Sequence, residues 1–181
     1  MNIKSTPLKD CYILEPTIFE DERGYFYEKF NEKKFEELTG LNGHFVQDNI
    51  SKSSYGVLRG VHLQKGEHAQ AKLVSCLEGK VWDVAVDLRK DSPTFGKWFG
   101  VELTPENKLQ LYVPRGFGHG FSVLSQTAIF SYKCDNFYNK DSEGSVIWND
   151  TDLNIDWKLP NDDVILSEKD QSLPPFKERN F

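Results

Sequence analysis

Along the middle of the chain one pattern recurs at roughly 10-residue spacing: a short alternating run of apolar and polar residues, then a turn built on Gly, Pro, Asn or Ser. Residues 80–88 (KVWDVAVDL) set Val81, Asp83, Ala85 and Asp87 on one face and Trp82, Val84, Val86 and Leu88 on the other. Runs at 98–103, 109–113 and 128–134 follow, separated by turns such as Ser92-Pro93-Thr94-Phe95-Gly96 and Thr104-Pro105-Glu106-Asn107. Strands this short and evenly spaced predict an all-β sandwich or barrel. The long crossover helices that a parallel α/β sheet requires are missing from the pattern. Thirteen Gly, eight Pro and an aromatic content of 13% in 181 residues suit such a turn-rich globule, read here as one domain spanning 1–181.

The first third is less regular. Residues 11–15 read as a strand stopped by Pro16, 19–24 as a turn, 25–30 as an aromatic-rich strand, and 45–51 as a strand with Gln47 and Asn49 on one face. Residues 31–39 (NEKKFEELT) form the one clear helix signal, with Asn31 as N-cap and Gly40 as terminator. The polar tail offers Trp148 and Trp157 as anchors and a helical turn at 167–170. A net charge of −6 argues against nucleic acid as a bulk partner while leaving room for a local basic pocket. The opening MNIKSTPLKD has no apolar run, and no stretch has the length of a membrane span. Cys11, Cys76 and Cys134 lie far apart without a CxxC, which predicts reduced, buried thiols and a cytoplasmic location.

The chemistry concentrates in residues 56–79, GVLRGVHLQKGEHAQAKLVSCLEG, which read as strand, polar turn and strand. Arg59, His62 and Lys72 are candidates to converge on one cavity. Arg59 and His62 differ in strand parity, so a bulge or twist at Gly60 is needed to bring them to one face. Two cations and an imidazole beside an apolar wall suit an anionic ligand handled near neutral pH. Taken singly, each residue has an ordinary structural reading: a strand histidine for His62, turn glycines around His119 in PRGFGHGF, a core aromatic for Tyr132. Asp170 with Lys169 could be a surface pair, and Arg23 with Glu28 a solvated ion pair.

Two segments resemble the paired motifs of the cupins, G-x5-H-x-H closing with E-x6-G, and P-x-G-x-x-H. Gly56 and His62 fit the first, and Pro114, Gly116 and His119 fit the second. Gln64 stands at the second histidine position and Lys72 at the glutamate position. The resemblance implies a cupin-type jelly roll with a few short peripheral helices, and because an ammonium repels a divalent cation the residues argue against a metal there.

Nearly the whole chain resembles the dTDP-4-dehydrorhamnose 3,5-epimerase family, through FEDERGYF (19–26), QDNIS (47–51), GVLRGVHLQ (56–64), AQAKLVSCLEGKVWDVAVDLR (69–89), SPTFGKW (92–98), ENKLQLYVPRGFGHGFSVLS (106–125), YKCDNFY (132–138), EGSVIWND (143–150) and LSEKD (166–170). Departures are Leu63, Gly118 and the KGEH turn, where the family often has Tyr, Ala and a Pro-rich turn. The resemblance implies an enzyme without cofactors that epimerises a dTDP-4-keto-6-deoxy sugar at C3 and C5, and a homodimer with an N-terminal strand pairing across the interface. It implies His62 as base with Asp170 behind it, Lys72 at the C4 oxygen and Tyr132 as acid. It carries Arg23, Glu28, Gln47, Asn49, Arg59, His119, Glu143 and Lys169 onto nucleotide or sugar contacts, with Phe19 and Phe26 as candidates to pack on the thymine or sugar. Other readings are an epimerase acting at one carbon, a non-catalytic nucleotide-sugar-binding cupin and a metal-dependent cupin oxygenase.

Overall fold

The computed structural model describes residues 1–178. Its strands are, in chain order, β1 (Asn2–Ser5), β2 (Tyr12–Glu15), β3 (Ile18–Asp21), β4 (Gly24–Tyr27), β5 (Gln47–Ser54), β6 (Leu58–Gln64) and β7 (Lys72–Glu78). There follow β8 (Val81–Asp87), β9 (Trp98–Leu103), β10 (Gln110–Val113), β11 (Phe117–Val123), β12 (Thr127–Cys134) and β13 (Glu143–Ser145). A six-stranded sheet runs β1-β2-β10-β7-β12-β5 and a five-stranded sheet runs β13-β6-β11-β8-β9; β3 and β4 form a separate hairpin. All these pairings are antiparallel. This is the all-β sandwich that the strand spacing predicts, of the jelly-roll type implied by the cupin motifs.

The alternation decides the layers. Val74, Cys76, Leu111, Val113 and Phe130 from the larger sheet pack with Val81, Ala85, Leu103, Phe117 and Phe121 from the smaller, forming the inner core. The opposite parity of the smaller sheet, including Leu58, Val61, Val84, Val86 and Leu88, is covered by the tail through Val146, Leu153 and Trp157. Trp157 donates its indole N–H to the Trp148 carbonyl at 2.7 Å, so the two tryptophans expected as anchors are tied to each other. The larger sheet is capped by α1 (Glu32–Thr39). Asn31 accepts the Lys34 N–H at its start, and Gly40, at φ 71°, closes its end. Phe35 alone is buried on this helix, 4.9 Å from the Tyr112 ring, and its burial contributes about 1.5–3 kcal/mol.

Three local expectations change. Phe19 to Asp21 belongs to strand β3, paired with β4, rather than to a turn: its charged sequence (FEDE) looks like a loop because both faces are exposed. The glycines around His119 lie inside the buried strand β11, where a Cβ at Gly118 would stand 2.4 Å from Val61. They make room for packing and are not turn residues. Strands β6 and β7 are not paired neighbours but belong to different sheets, so their side chains meet across the interior.

The parity conflict between Arg59 and His62 is resolved as anticipated. His119 pairs with His62 and Phe121 with Arg59, so β6 carries one residue more than β11 between these pairs. Gly60 sits in that bulge at φ 137°, and a Cβ there would lie 2.5 Å from the Gly120 Cα and 3.0 Å from the His119 carbonyl. Gly60→Ala is expected to destabilise the protein by about 2–4 kcal/mol in urea unfolding, from backbone strain plus overpacking. A change within about 0.5 kcal/mol would mean that the bulge adapts freely.

Candidate active site

A cavity of about 440 Å³ opens between the sheets, within the usual range for small-molecule sites. His62 and Arg59 reach it from β6, His119 from β11 and Glu143 from β13. Gln47 and Asn49 reach it from β5, Lys72 from β7 and Tyr132 from β12. The short helix α2 (Glu168–Gln171), capped by the Ser167 side chain, adds Lys169 and Asp170. His62 and Tyr132 therefore enter from opposite sheets, with the cavity between them.

His62 Nε2 lies 2.8 Å from Asp170 Oδ1. The other carboxylate oxygen accepts the Ser167 hydroxyl at 2.9 Å, and the Asp170 backbone N–H returns a bond to Ser167 Oγ at 3.1 Å. Burial pushes the Asp170 carboxyl up, yet His62, Ser167 and Lys169 together outweigh it and hold the group below its ordinary value. The result is an anion beside Nε2, which favours the ring hydrogen there and leaves Nδ1 as the free basic nitrogen.

On the facing sheet, burial raises the Tyr132 phenol above its usual value, keeping it a proton donor at neutral pH. Burial also draws the Lys72 ammonium below that of an ordinary lysine. Lys72 Nζ stands 5.8 Å from the centre of the Tyr132 ring, and among the described residues it has no ion-pair partner. A half-buried cation without a carboxylate of its own is electrostatically primed for negative charge that a ligand brings or develops.

At the rim, Arg59 is held by Ser53 Oγ through Nε and Nη2 at 3.3 and 3.2 Å. Gln47 donates to Asn49 at 3.0 Å, on the shared face read from the sequence. Glu143 joins the rim together, accepting the Tyr138 hydroxyl at 2.9 Å and the Lys169 ammonium at 2.5 Å. Gln64, at the motif's second histidine position, accepts the Asn139 backbone N–H at 2.9 Å instead.

Phe19, Arg23, Phe26 and Glu28 are not brought to this cavity within one chain. The first three lie around the β3–β4 hairpin. Arg23 pairs with Asp21 at 2.5 Å rather than with Glu28, and Glu28 pairs with Lys34 at 2.7 Å. Sequence reasoning missed Ser167, Ser53, Tyr138 and Asp83. Asp83 gave no usable signal, because with the other parity of its strand wholly apolar its own face reads as solvent-facing. Asp83 is fully buried, and its Oδ1 lies 2.8 Å from His119 Nε2.

Comparison with known proteins is consistent across the chain. The family model described as dTDP-4-dehydrorhamnose 3,5-epimerase matches residues 5–178. The dTDP-4-dehydrorhamnose 3,5-epimerase of Shigella flexneri is 52% identical over 181 residues, covering 100% of this chain and 99% of its own. The crystal structure of the Elizabethkingia anophelis NUHP1 enzyme of that name superposes with a TM-score of 0.98 at 79% identity, covering 100% of this chain and 99% of the other. A dTDP-6-deoxy-D-glucose-3,5-epimerase from Legionella pneumophila Philadelphia 1, solved with dTDP-4-keto-L-rhamnose, gives a TM-score of 0.94 at 50% identity, covering 99% and 94%. With the fold, the cavity and the matched length in agreement, the chain belongs to the dTDP-4-dehydrorhamnose 3,5-epimerase family.

Proposed function

We propose that the protein epimerises a dTDP-4-keto-6-deoxy sugar at C3 and C5, giving dTDP-4-dehydro-L-rhamnose by acid–base chemistry that needs no metal. The observation that carries this reading is a carboxylate-backed imidazole and a half-buried phenol entering one cavity from opposite sheets, with a half-buried ammonium beside the phenol. Both carbons flank the C4 ketone, so one cation at its oxygen serves both steps. His62 Nδ1 removes the carbon-bound proton, Lys72 stabilises the enolate oxygen, and Tyr132 returns a proton from the other face. Each inversion leaves His62 with an added proton and Tyr132 without one, and exchange with water resets both. Arg59 suits the diphosphate, whose oxygens match a guanidinium fork.

The partner reading follows from the hairpin. Phe19, Tyr25 and Phe26 are 62%, 57% and 70% exposed on a two-stranded ribbon that is marginal by itself. We infer a homodimer in which a second copy covers this ribbon and brings Phe19, Arg23, Phe26 and Glu28 toward the ligand. The three free, buried cysteines favour a reducing compartment, in keeping with a cytoplasmic enzyme.

The test is proton NMR of dTDP-4-keto-6-deoxyglucose with the protein and a chelator in D2O. Loss of both the C3 and C5 proton signals with inverted couplings supports the double epimerase. Exchange at one carbon would make it a single-position enzyme, and no exchange despite dTDP binding would sink the catalytic reading. Because burial draws Lys72 down and pushes Tyr132 up, kcat is expected to fall at alkaline pH as Lys72 loses its proton, with Tyr132 still protonated. In Lys72→Arg the cation does not titrate in this range, so the reduced kcat should stay level to higher pH. An unmoved alkaline limb would assign that limb to another group.

A further inference from the structure

The cavity holds two imidazoles, not one. His119 and His62 are direct cross-strand partners, and both face the space between the sheets. Each has its Nε2 2.8 Å from an aspartate Oδ1, Asp170 for His62 and Asp83 for His119. Asp83 itself does not line the cavity. It sits on β8 two residues from Ala85, the residue opposite His119, and on the same face. Its side chain is fully buried, and Oδ2 has no hydrogen-bond partner among the described residues. A half-satisfied carboxyl set between Val81 and Ala85 on the sealed face is a costly choice if only packing is at stake.

We propose that Asp83 is a positioning residue for the epimerisation, acting through His119: it fixes the ring hydrogen on Nε2, so that Nδ1 faces the sugar as a hydrogen-bond acceptor. A carboxylate accepts and cannot donate, so the 2.8 Å bond selects one tautomer. The His119 ring also stacks on Phe130, with centroids 6.0 Å apart at 17°, which limits its rotation. Nδ1 then offers a lone pair to a sugar hydroxyl beside the carbon that His62 attacks. The same buried carboxylate acts against the effect of burial on Lys72, helping to keep that cation charged. The positioning role rests on the epimerase reading, whereas the tautomer does not.

Two measurements test it. In the unmodified protein, two-bond proton–nitrogen NMR, with His119 assigned by its loss in His119→Gln, is expected to show the Nε2–H tautomer. Finding the Nδ1–H tautomer overturns the proposal whether or not the protein is an epimerase. In the NMR epimerisation assay, Asp83→Asn is expected to lower kcat about 10–100-fold, because an amide binds either tautomer. Introduced into His119→Gln, the same change should cost less than about twofold further, since the residue it acts through is already gone. Full additivity of the two losses would make Asp83 a structural residue and refute the positioning role. Absence of activity in the unmodified enzyme would fail the epimerase reading while leaving the tautomer result standing.

Discussion

Replacing His62 with Asn is expected to lower kcat by about 10²–10⁴-fold, with deuterium incorporation from D2O falling at C3 and C5 together. One imidazole serves both carbons in the proposed reaction, so its loss should not spare either. Asn keeps much of the ring's hydrogen-bonding shape but cannot take a proton at neutral pH. His62 is one-third exposed at the cavity wall, so folding should be little affected, and dTDP affinity should change by less than about threefold. Selective loss at one carbon would be the informative failure. It would mean that a second base, with His119 the nearest candidate by register, handles the other position. Asp170→Asn should follow His62→Asn in kind but not in size. The ring would keep a neighbour yet lose the anion that orients it and stabilises its protonated form.

Much of this site was readable from residue types and spacing, and the limits have physical causes. The caps of α1 were legible because the Asn31 side chain and the Gly40 backbone act on the nearest turns of the helix. The bulge was legible because two charged groups of opposite parity could not otherwise share a face, and Gly60 was the one residue there able to break the alternation. Which strands pair was not. Alternation fixes the faces of a strand but not its neighbour, so nothing in residues 56–79 says that β6 and β7 stand in opposite sheets. Asp170 sits far along the chain from His62, and only the family resemblance linked them. Asp83 was missed because the face it occupies on β8 looked polar in sequence, whereas that face is the sealed interior. The hairpin residues Phe19, Arg23, Phe26 and Glu28 mark another limit, since spacing cannot tell whether a side chain serves its own cavity or a second copy's.

Tyr132→Phe should separate exchange from inversion, the outcome that bears most directly on the two-faced arrangement. The substitution removes one oxygen and keeps the ring, which packs against Phe130 with centroids 6.2 Å apart, so the fold should hold. With His62 and Lys72 intact, the carbon-bound proton can still leave and the enolate can still form. Reprotonation is then confined to the face where His62 holds the abstracted or exchanged proton, which restores the starting configuration. The expected result is deuterium entering the substrate from D2O at a rate within about tenfold of the unmodified enzyme, while net epimerisation falls by about 10²–10⁴-fold. Parallel loss of exchange and inversion would contradict this, because it would make Tyr132 necessary for forming the enolate. Its hydroxyl would then act on the C4 oxygen beside Lys72, and the opposite-face acid would have to be sought elsewhere along the cavity wall.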